Sequence, residues 1–164
     1  MSASMKQDIP VKVGIDQKDR KKLAQKMGAV LSSTYVLYHK THAFHWNITG
    51  PMFYSVHKLT DDQYLALAEA IDEIAERVRA IGFPTPVGLG NYIKDSVVDD
   101  VAALPEPEAM IKQLAEDHQS ISRQLHEAVE EAEELNDVFT ADLLTARIGA
   151  HEEASWMLSA LIAK

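Results

Sequence analysis

Five side chains in the first half of the sequence are of the types that bind a redox-active metal ion: His45, His57, Asp61, Asp72 and Glu76. Their successive spacings are 12, 4, 11 and 4 residues. Two imidazoles and three carboxylates form a ligand set that suits iron or zinc without any thiolate. Oxygen-rich ligation also stabilises Fe³⁺ and therefore favours the oxidation of bound Fe²⁺.

Four of these residues lie in a segment that the sequence predicts to be one helix, residues 53–81. At about 100° per residue, positions 57, 61, 72 and 76 fall at roughly 0°, 40°, 60° and 100°, so they share one stripe. At about 1.5 Å of rise per residue, however, the pairs 57/61 and 72/76 are roughly 22 Å apart. One metal site cannot span this distance. Either there are two weak sites, or each pair is completed by another chain.

The second alternative has a simple geometry. If the helix crosses its own copy about an antiparallel two-fold axis near Ala66 and Leu67, pair 57/61 of one chain meets pair 72/76 of the other. The symmetry then gives two identical sites per dimer. A di-iron site inside one bundle is unsupported, because such bundles use Glu-x-x-His motifs and none of the seven histidines has Glu three residues before it. The plainer alternative, that the three acids are surface charges, does not explain their joint spacing.

The other histidines have plainer interpretations. His39 and His42 precede His45 at three-residue intervals, and we interpret them as ordinary hydrogen-bonded side chains. His118 lies on an apolar stripe and is predicted to be a core histidine rather than a ligand. His151 faces inward on the last predicted helix, and the sequence assigns it no role.

The elements that must position the ligands are four long helices. Apolar residues recur at three- and four-residue intervals along them, and a Gly-Pro break at residues 50–51 makes the first two an antiparallel hairpin. The long connection over residues 82–104 is predicted to contain a short helix at 91–98, and residues 1–15 are predicted to be a mobile tail. The predicted fold class is all-α, a four-helix bundle domain over residues 16–164. A long second connection between two helical hairpins is the arrangement of ferritin-like bundles, among others. The predicted long helices are 16–46, 53–81, 106–135 and 137–163.

Composition limits the classes of function. The chain has 164 residues, no cysteine and a formal net charge of −9. Its length suits one domain, and the lack of cysteine is typical of a protein of the reducing cytosol. We expect no membrane segment, because no apolar run approaches the length of a span. The acidic charge argues against binding nucleic acid over the whole surface.

Two segments resemble the signatures of a known family. Residues 45–50 read His-Trp-Asn-Ile-Thr-Gly, and residues 71–77 read Ile-Asp-Glu-Ile-Ala-Glu-Arg, with Val56, His57 and Asp61 between them. These segments look like those of the Dps family, the mini-ferritins that protect DNA in starved bacterial cells. The resemblance extends over residues 16–164, including the helix in the long connection.

The resemblance implies a hollow dodecamer built from two-fold dimers, with a ferroxidase site at each two-fold interface. One chain would supply His45, His57 and Asp61, and its neighbour would supply Asp72 and Glu76. The site would oxidise Fe²⁺, preferably with hydrogen peroxide, and ferric oxide would be stored inside the shell. Further residues are implied at two other places: Trp46 beside the site, and Asp137 and Asp142 at the pores through which iron enters.

The chain departs from the DNA-binding members of that family in its first residues. Their tail is rich in lysine, whereas this one has only Lys6 and Lys12 against Asp8. We therefore expect DNA binding to be weak or absent. Two alternatives stay open: a non-enzymatic protein that coats DNA in the nucleoid, with the metal site as a structural staple, and an interface filled with zinc as a substitute for iron.

Overall fold

The computed structural model describes residues 8–163 and contains five helices in this range. Four are long and form the bundle, and one short helix lies in the long connection, as the sequence predicts. Each predicted long helix is present to within about two residues at each end. The helices are α1 Gln17–Asn47, α2 Phe53–Ala80, α3 Leu89–Asp95, α4 Pro107–Glu134 and α5 Val138–Leu161.

The bundle consists of two antiparallel hairpins, α1/α2 and α4/α5, that pack on each other chiefly through α1 and α4. Their apolar stripes meet in one core, in which Leu37, Phe44, Ile74 and Leu125 have at most 1% of their surface exposed. The second hairpin turns sharply, because Asn136 is left-handed at φ 56° and Asp137 N–H donates to the Ala132 carbonyl at 2.8 Å.

The short helix lies two residues earlier than predicted and is shorter, Leu89–Asp95. It begins after Gly88, whose φ of 85° suits a residue without a side chain. It ends because Ser96 turns to an extended conformation, and its hydroxyl accepts a hydrogen bond from Val98 N–H at 2.9 Å. Such local side-chain bonds compete with helix continuation.

The predicted mobile tail, residues 1–15, falls partly on residues 1–7, which are outside the described range. Residues 8–15 have no helix and lie against the end of α2. Ile9 N–H donates to the Gly82 carbonyl at 2.9 Å. Gly82 itself has φ 102°, and a Cβ there would lie 2.7 Å from the Ile9 carbonyl oxygen. A side chain at this position would therefore push the segment away.

Arg20 also anchors residues 8–15 to the end of α2. Its side chain is buried, and its guanidinium donates to the carbonyls of Ile81, Ile15 and Val11 at 2.6, 3.0 and 3.1 Å. These bonds also satisfy a carbonyl at the end of α2, which would otherwise lack a partner within its helix. None of the helices within residues 8–163 combines the length and apolar character needed to cross a lipid bilayer.

Candidate metal centre

His45 and His57 face each other where α1 ends and α2 begins. The Nδ1 of His45 lies 2.9 Å from the His57 carbonyl oxygen, and the Nδ1 of His57 lies 3.0 Å from the His45 carbonyl oxygen. Their rings are stacked with centroids 3.8 Å apart and planes at 18°. The two residues are thus bonded reciprocally, ring to backbone.

This reciprocity fixes which nitrogen of each ring can bind a metal. A carbonyl only accepts hydrogen bonds, so each Nδ1 must carry the proton. Each Nε2 of His45 and His57 then keeps a lone pair, which is the state in which neutral imidazole binds a metal ion. In metal sites the second ring nitrogen commonly donates to a carbonyl or carboxylate that sets the tautomer and orientation. Here the carbonyls of His57 and His45 perform this task, so each neutral imidazole presents its Nε2 as the atom that can bind a metal ion.

Asp61 lies one turn further along α2 and is held by a tyrosine. The Tyr64 hydroxyl donates to Asp61 Oδ1 at 2.8 Å. This bond lowers the pKa of Asp61, and the nearby imidazole of His45 adds to the effect. The carboxylate is therefore ionised at neutral pH, and its second oxygen is not used by this bond. The sequence-based search missed Tyr64, although its position three residues after an acid on a helix is a readable signal.

Asp72 and Glu76 are exposed on the same helix, about three to four turns beyond Asp61. Among residues 8–163, no three His, Asp or Glu side chains are placed to hold one metal ion together. The structure therefore brings together His45 and His57, with Asp61 near them, and leaves Asp72 and Glu76 on a separate part of the surface.

Aromatic side chains surround the two imidazoles at the surface. Trp46 is 62% exposed and packs against His42, with ring centroids 4.0 Å apart and planes tilted by 39°. Phe53 lies 5.1 Å from the His57 ring and is 44% exposed, and Tyr54 beside it is 72% exposed. Large exposed apolar groups clustered at one place are typical of an interaction surface.

Asp137 binds Arg77 and caps α5 within its own chain. It accepts two hydrogen bonds from Arg77 Nη2 at 2.7 and 2.8 Å, and it caps α5 by accepting from Thr140 N–H at 3.1 Å. Burial raises its pKa, but the bonds from Thr140 and Arg77 outweigh burial and the pKa is lowered. Asp142, by contrast, is exposed. Arg77 directly follows Glu76, so this ion pair connects the acidic end of α2 with the start of α5. Whether these acids line a pore stays a prediction.

The two inward histidines of the second hairpin bind each other. The Nδ1 atoms of His118 and His151 are 2.9 Å apart in the core, so one donates and the other accepts. Burial, with the nearby charge of Arg147, lowers the pKa of His118 to about 3. Burial, with His118 and Arg147, lowers the pKa of His151 to about 2. Both are neutral core residues, as the sequence predicts for His118.

Comparisons with known proteins agree with this fold. Residues 24–164 match the family model described as a ferritin-like domain. The chain is 33% identical over 127 residues to DNA protection during starvation protein 2 of Bacillus anthracis, covering 77% of this chain and 87% of the relative.

Solved structures give the same result. DpsC from Streptomyces coelicolor superposes with a TM-score of 0.91 at 25% identity, covering 96% of this chain and 92% of that one. The Dps protein from Vibrio cholerae, described as a member of a broad superfamily of ferritin-like diiron-carboxylate proteins, superposes with a TM-score of 0.86 at 27% identity. This match covers 92% of the present chain and 94% of the Vibrio chain.

Proposed function

Because this chain belongs to the Dps family of ferritin-like proteins, we propose that it is an iron-storing ferroxidase that oxidises Fe²⁺, preferably with hydrogen peroxide. The observation that carries the proposal is the pair of reciprocal bonds between His45 and His57, which leave both Nε2 atoms free to bind iron. Imidazole and carboxylate together suit Fe²⁺, and the carboxylates favour the ferric product.

The proposed site is shared between two chains. One chain offers His45, His57 and Asp61, and the other offers Asp72 and Glu76. An antiparallel crossing of the two α2 helices would bring these groups together twice per dimer, by symmetry. The exposed aromatic groups around His57 support this, because such a surface is suited to burial against a copy. Six such dimers would make the dodecameric shell, with ferric oxide stored inside.

The proposed reaction consumes Fe²⁺ and H₂O₂ without releasing a hydroxyl radical. Two Fe²⁺ ions give two electrons to one H₂O₂, which takes up two protons and becomes two waters. The residues of the chain bind and orient the iron: the imidazoles through Nε2, and the carboxylates by neutralising the added positive charge of Fe³⁺. In the cytosol this reaction would protect the cell by removing both reactants of hydroxyl-radical formation.

We expect the protein to oxidise Fe²⁺ faster with hydrogen peroxide than with oxygen. Stopped-flow absorbance of the ferric product, at equal concentrations of the two oxidants, measures this. Asp61→Ala should slow the peroxide reaction by at least ~10-fold, because even outer groups around metal ligands contribute this much. Asp62→Ala, which removes the neighbouring exposed carboxylate, is the matched control and should retain the rate. Equal or slower oxidation with peroxide would contradict the preference for this oxidant.

We expect DNA binding to be weak or absent at physiological salt. Lys6 and Lys12 offer few charges to phosphates, and a chain of net charge −9 repels the duplex when it is repeated in a shell. A gel shift at about 150 mM salt, without divalent cation, tests this. A tight complex under these conditions would favour the alternative function, a DNA-coating protein of the nucleoid. Zinc, as the alternative occupant of the site, should block iron oxidation rather than support it.

A further inference from the structure

Each of the four long helices places one polar side chain in the core at the same level of the bundle. We call this set the core polar layer, and its members are Thr41, Gln63, His118 and His151. Each of them is at most 8% exposed. On α1 and α4 the core positions one turn before and one turn after the layer are apolar and at most 1% exposed; they are Leu37, Phe44, Leu114 and Ile121. The layer therefore interrupts an otherwise apolar stripe on these two helices.

Contacts between neighbouring helices establish the common level. The Lys40 ammonium donates to Asp117 at 2.7 Å, so the next residues on α1 and α4, Thr41 and His118, lie within about 3 Å of each other along the bundle axis. His118 in turn is bonded to His151 on α5, with the two Nδ1 atoms 2.9 Å apart. Thr41, His118 and His151 are thus at one level.

The position of α2 follows from a ring contact with α1. The ring centroids of Tyr38 and Tyr64 are 6.4 Å apart. Thr41 lies three residues beyond Tyr38, and Gln63 lies one residue before Tyr64 on the antiparallel helix. At about 1.5 Å of rise per residue, Thr41 and Gln63 differ by roughly 3 Å in level. Gln63 therefore belongs to the same layer.

Three members of the layer have polar atoms that no group within residues 8–163 bonds. These atoms are the Thr41 hydroxyl oxygen, both amide atoms of Gln63 and the Nε2 of His118. A buried polar atom without a partner costs free energy, because folding has taken it away from water. Almost all such atoms in folded proteins are bonded either to the protein or to ordered water. Four orphaned atoms at one level therefore indicate that the layer holds a small polar molecule.

The charges around the layer favour a neutral molecule. The layer contains no carboxylate, and burial keeps its two imidazoles neutral, so a cation bound there would lack a counter-charge. Arg147 lies one turn before His151 on α5 and is partly buried. Its positive charge already interacts with the carboxylates of Glu73 and Glu69 on α2, so it is not left to balance an anion. An ion of either sign would be poorly compensated in this part of the core.

The hydrogen-bonding groups require a molecule that both donates and accepts. Because the bond between His118 and His151 uses one Nδ1 proton, the Nε2 of one ring accepts and the Nε2 of the other donates. The amide of Gln63 offers an acceptor oxygen and a donor nitrogen, and the hydroxyl of Thr41 can do both. Water has this capacity, and a buried water typically makes about three hydrogen bonds.

We propose that the core polar layer is a water-binding site, in which at least one water molecule is held between Thr41, Gln63 and His118 and connects α1, α2 and α4. The bond between His118 and His151 extends the connection to α5. Such a site helps to fix the level at which the helices pack, because sliding one helix by a turn would place its polar group against apolar side chains. The inference does not depend on the proposed ferroxidase function.

The direct test is high-resolution crystallography of the wild-type protein, purified without added metal. We expect an electron-density peak inside the bundle, within about 3.2 Å of at least two of the four orphaned atoms. Lack of a peak would overturn the proposal, and so would side chains of the layer that bond one another directly. Diffraction data sensitive to anomalous scattering identify the occupant. An anomalous signal at the peak would mean an ion and would equally overturn the assignment to water.

Stability measurements test the shared ligand in solution. Thr41→Val and Gln63→Met replace polar side chains by apolar ones of similar size, and each should lower the guanidinium concentration at the unfolding midpoint. If one water molecule bonds both side chains, the first substitution already loosens it. The double variant should then lose clearly less than the sum of the two single shifts, which is the non-additivity expected of residues that share a partner.

Thr34→Val is the matched control for Thr41→Val. Thr34 is also buried on α1, about two turns from the layer, but its hydroxyl donates to the Val30 carbonyl at 2.8 Å and needs no further partner. Its effect should add to that of Gln63→Met. Additive shifts for Thr41→Val with Gln63→Met would contradict a shared water molecule, as would equal non-additivity in the control pair.

Discussion

Two inactive variants assembled together should regain about a quarter of the ferroxidase sites. The first variant is His57→Ala with Asp61→Ala, and the second is Asp72→Ala with Glu76→Ala. Each alone should be inactive, because every site of a symmetric dimer then lacks a pair of ligands. In a mixed dimer, one of the two sites is whole, since each chain supplies the pair that the other has lost. Random pairing makes about half the dimers mixed, which gives the expected fraction.

The measurement is iron oxidation by co-assembled protein carrying two different affinity tags, purified through both. A double variant of the neighbouring exposed acids, Asp62→Ala with Glu73→Ala, controls for general effects on α2 and should retain activity. If mixing restores no activity, although mixed assemblies are present, the ligands do not come from two chains. The two-fold geometry would then be wrong.

Mild acid should destabilise the protein through its buried histidine pair. In the folded state His118 and His151 are neutral, with pKa values of about 3 and about 2. In the unfolded chain both take up protons below their usual value of 6.5. The unfolded state therefore binds more protons, and the free energy of unfolding falls as the pH decreases below 6.5. The bond between the two Nδ1 atoms adds a reason, because two protonated rings would place two donors against each other.

The expected loss is large. Each histidine contributes about 1.4 kcal/mol per pH unit, so the pair should lower the free energy of unfolding by up to about 5 kcal/mol between pH 6.5 and 4.5. Guanidinium unfolding of the metal-free protein at a series of pH values measures this. Replacing both residues by leucine should flatten the pH dependence in this window, whereas His126→Gln, at an exposed position of α4, should not. An unchanged slope in the double leucine variant would show that other groups cause the loss.

The sequence was sufficient to predict the helices and to show that the ligand pairs 57/61 and 72/76 are too far apart on one chain to bind the same metal ion. Apolar periodicity is strong over the 28 residues of α2 and the 28 residues of α4, so the existence and approximate bounds of these helices are readable. The stripe of ligand-type residues on α2 follows from helix geometry alone, and the structure indeed keeps its two ends apart. That the pairs meet between two chains stays a prediction until the mixed assembly is measured.

The details of the centre were not readable, because they depend on backbone atoms and tertiary contacts. No pattern of side chains predicts that His45 and His57 each bond the other's carbonyl, since this requires the actual path of the chain between them. The same holds for Asp137, whose partner Arg77 is 60 residues away in the sequence. Tyr64 is a different case: its place three residues after Asp61 on a helix is readable, but tyrosine is not among the ligand types considered, and the bond between the two is visible only in the structure.

The reciprocal bonds also determine how much variation in length the first hairpin can accept. Surface connections usually tolerate insertions and deletions, because little depends on their path. The five residues between α1 and α2, by contrast, are spanned by the two hydrogen bonds that join the ring of His45 to the His57 carbonyl and the ring of His57 to the His45 carbonyl. Gly50, within these five residues, is left-handed at φ 87°. One added residue here would separate the two imidazoles, whereas one added near residues 102–104, in the exposed connection before α4, would leave them in place. Functional relatives should therefore differ in length near residues 102–104, before α4, and should have the same length between α1 and α2.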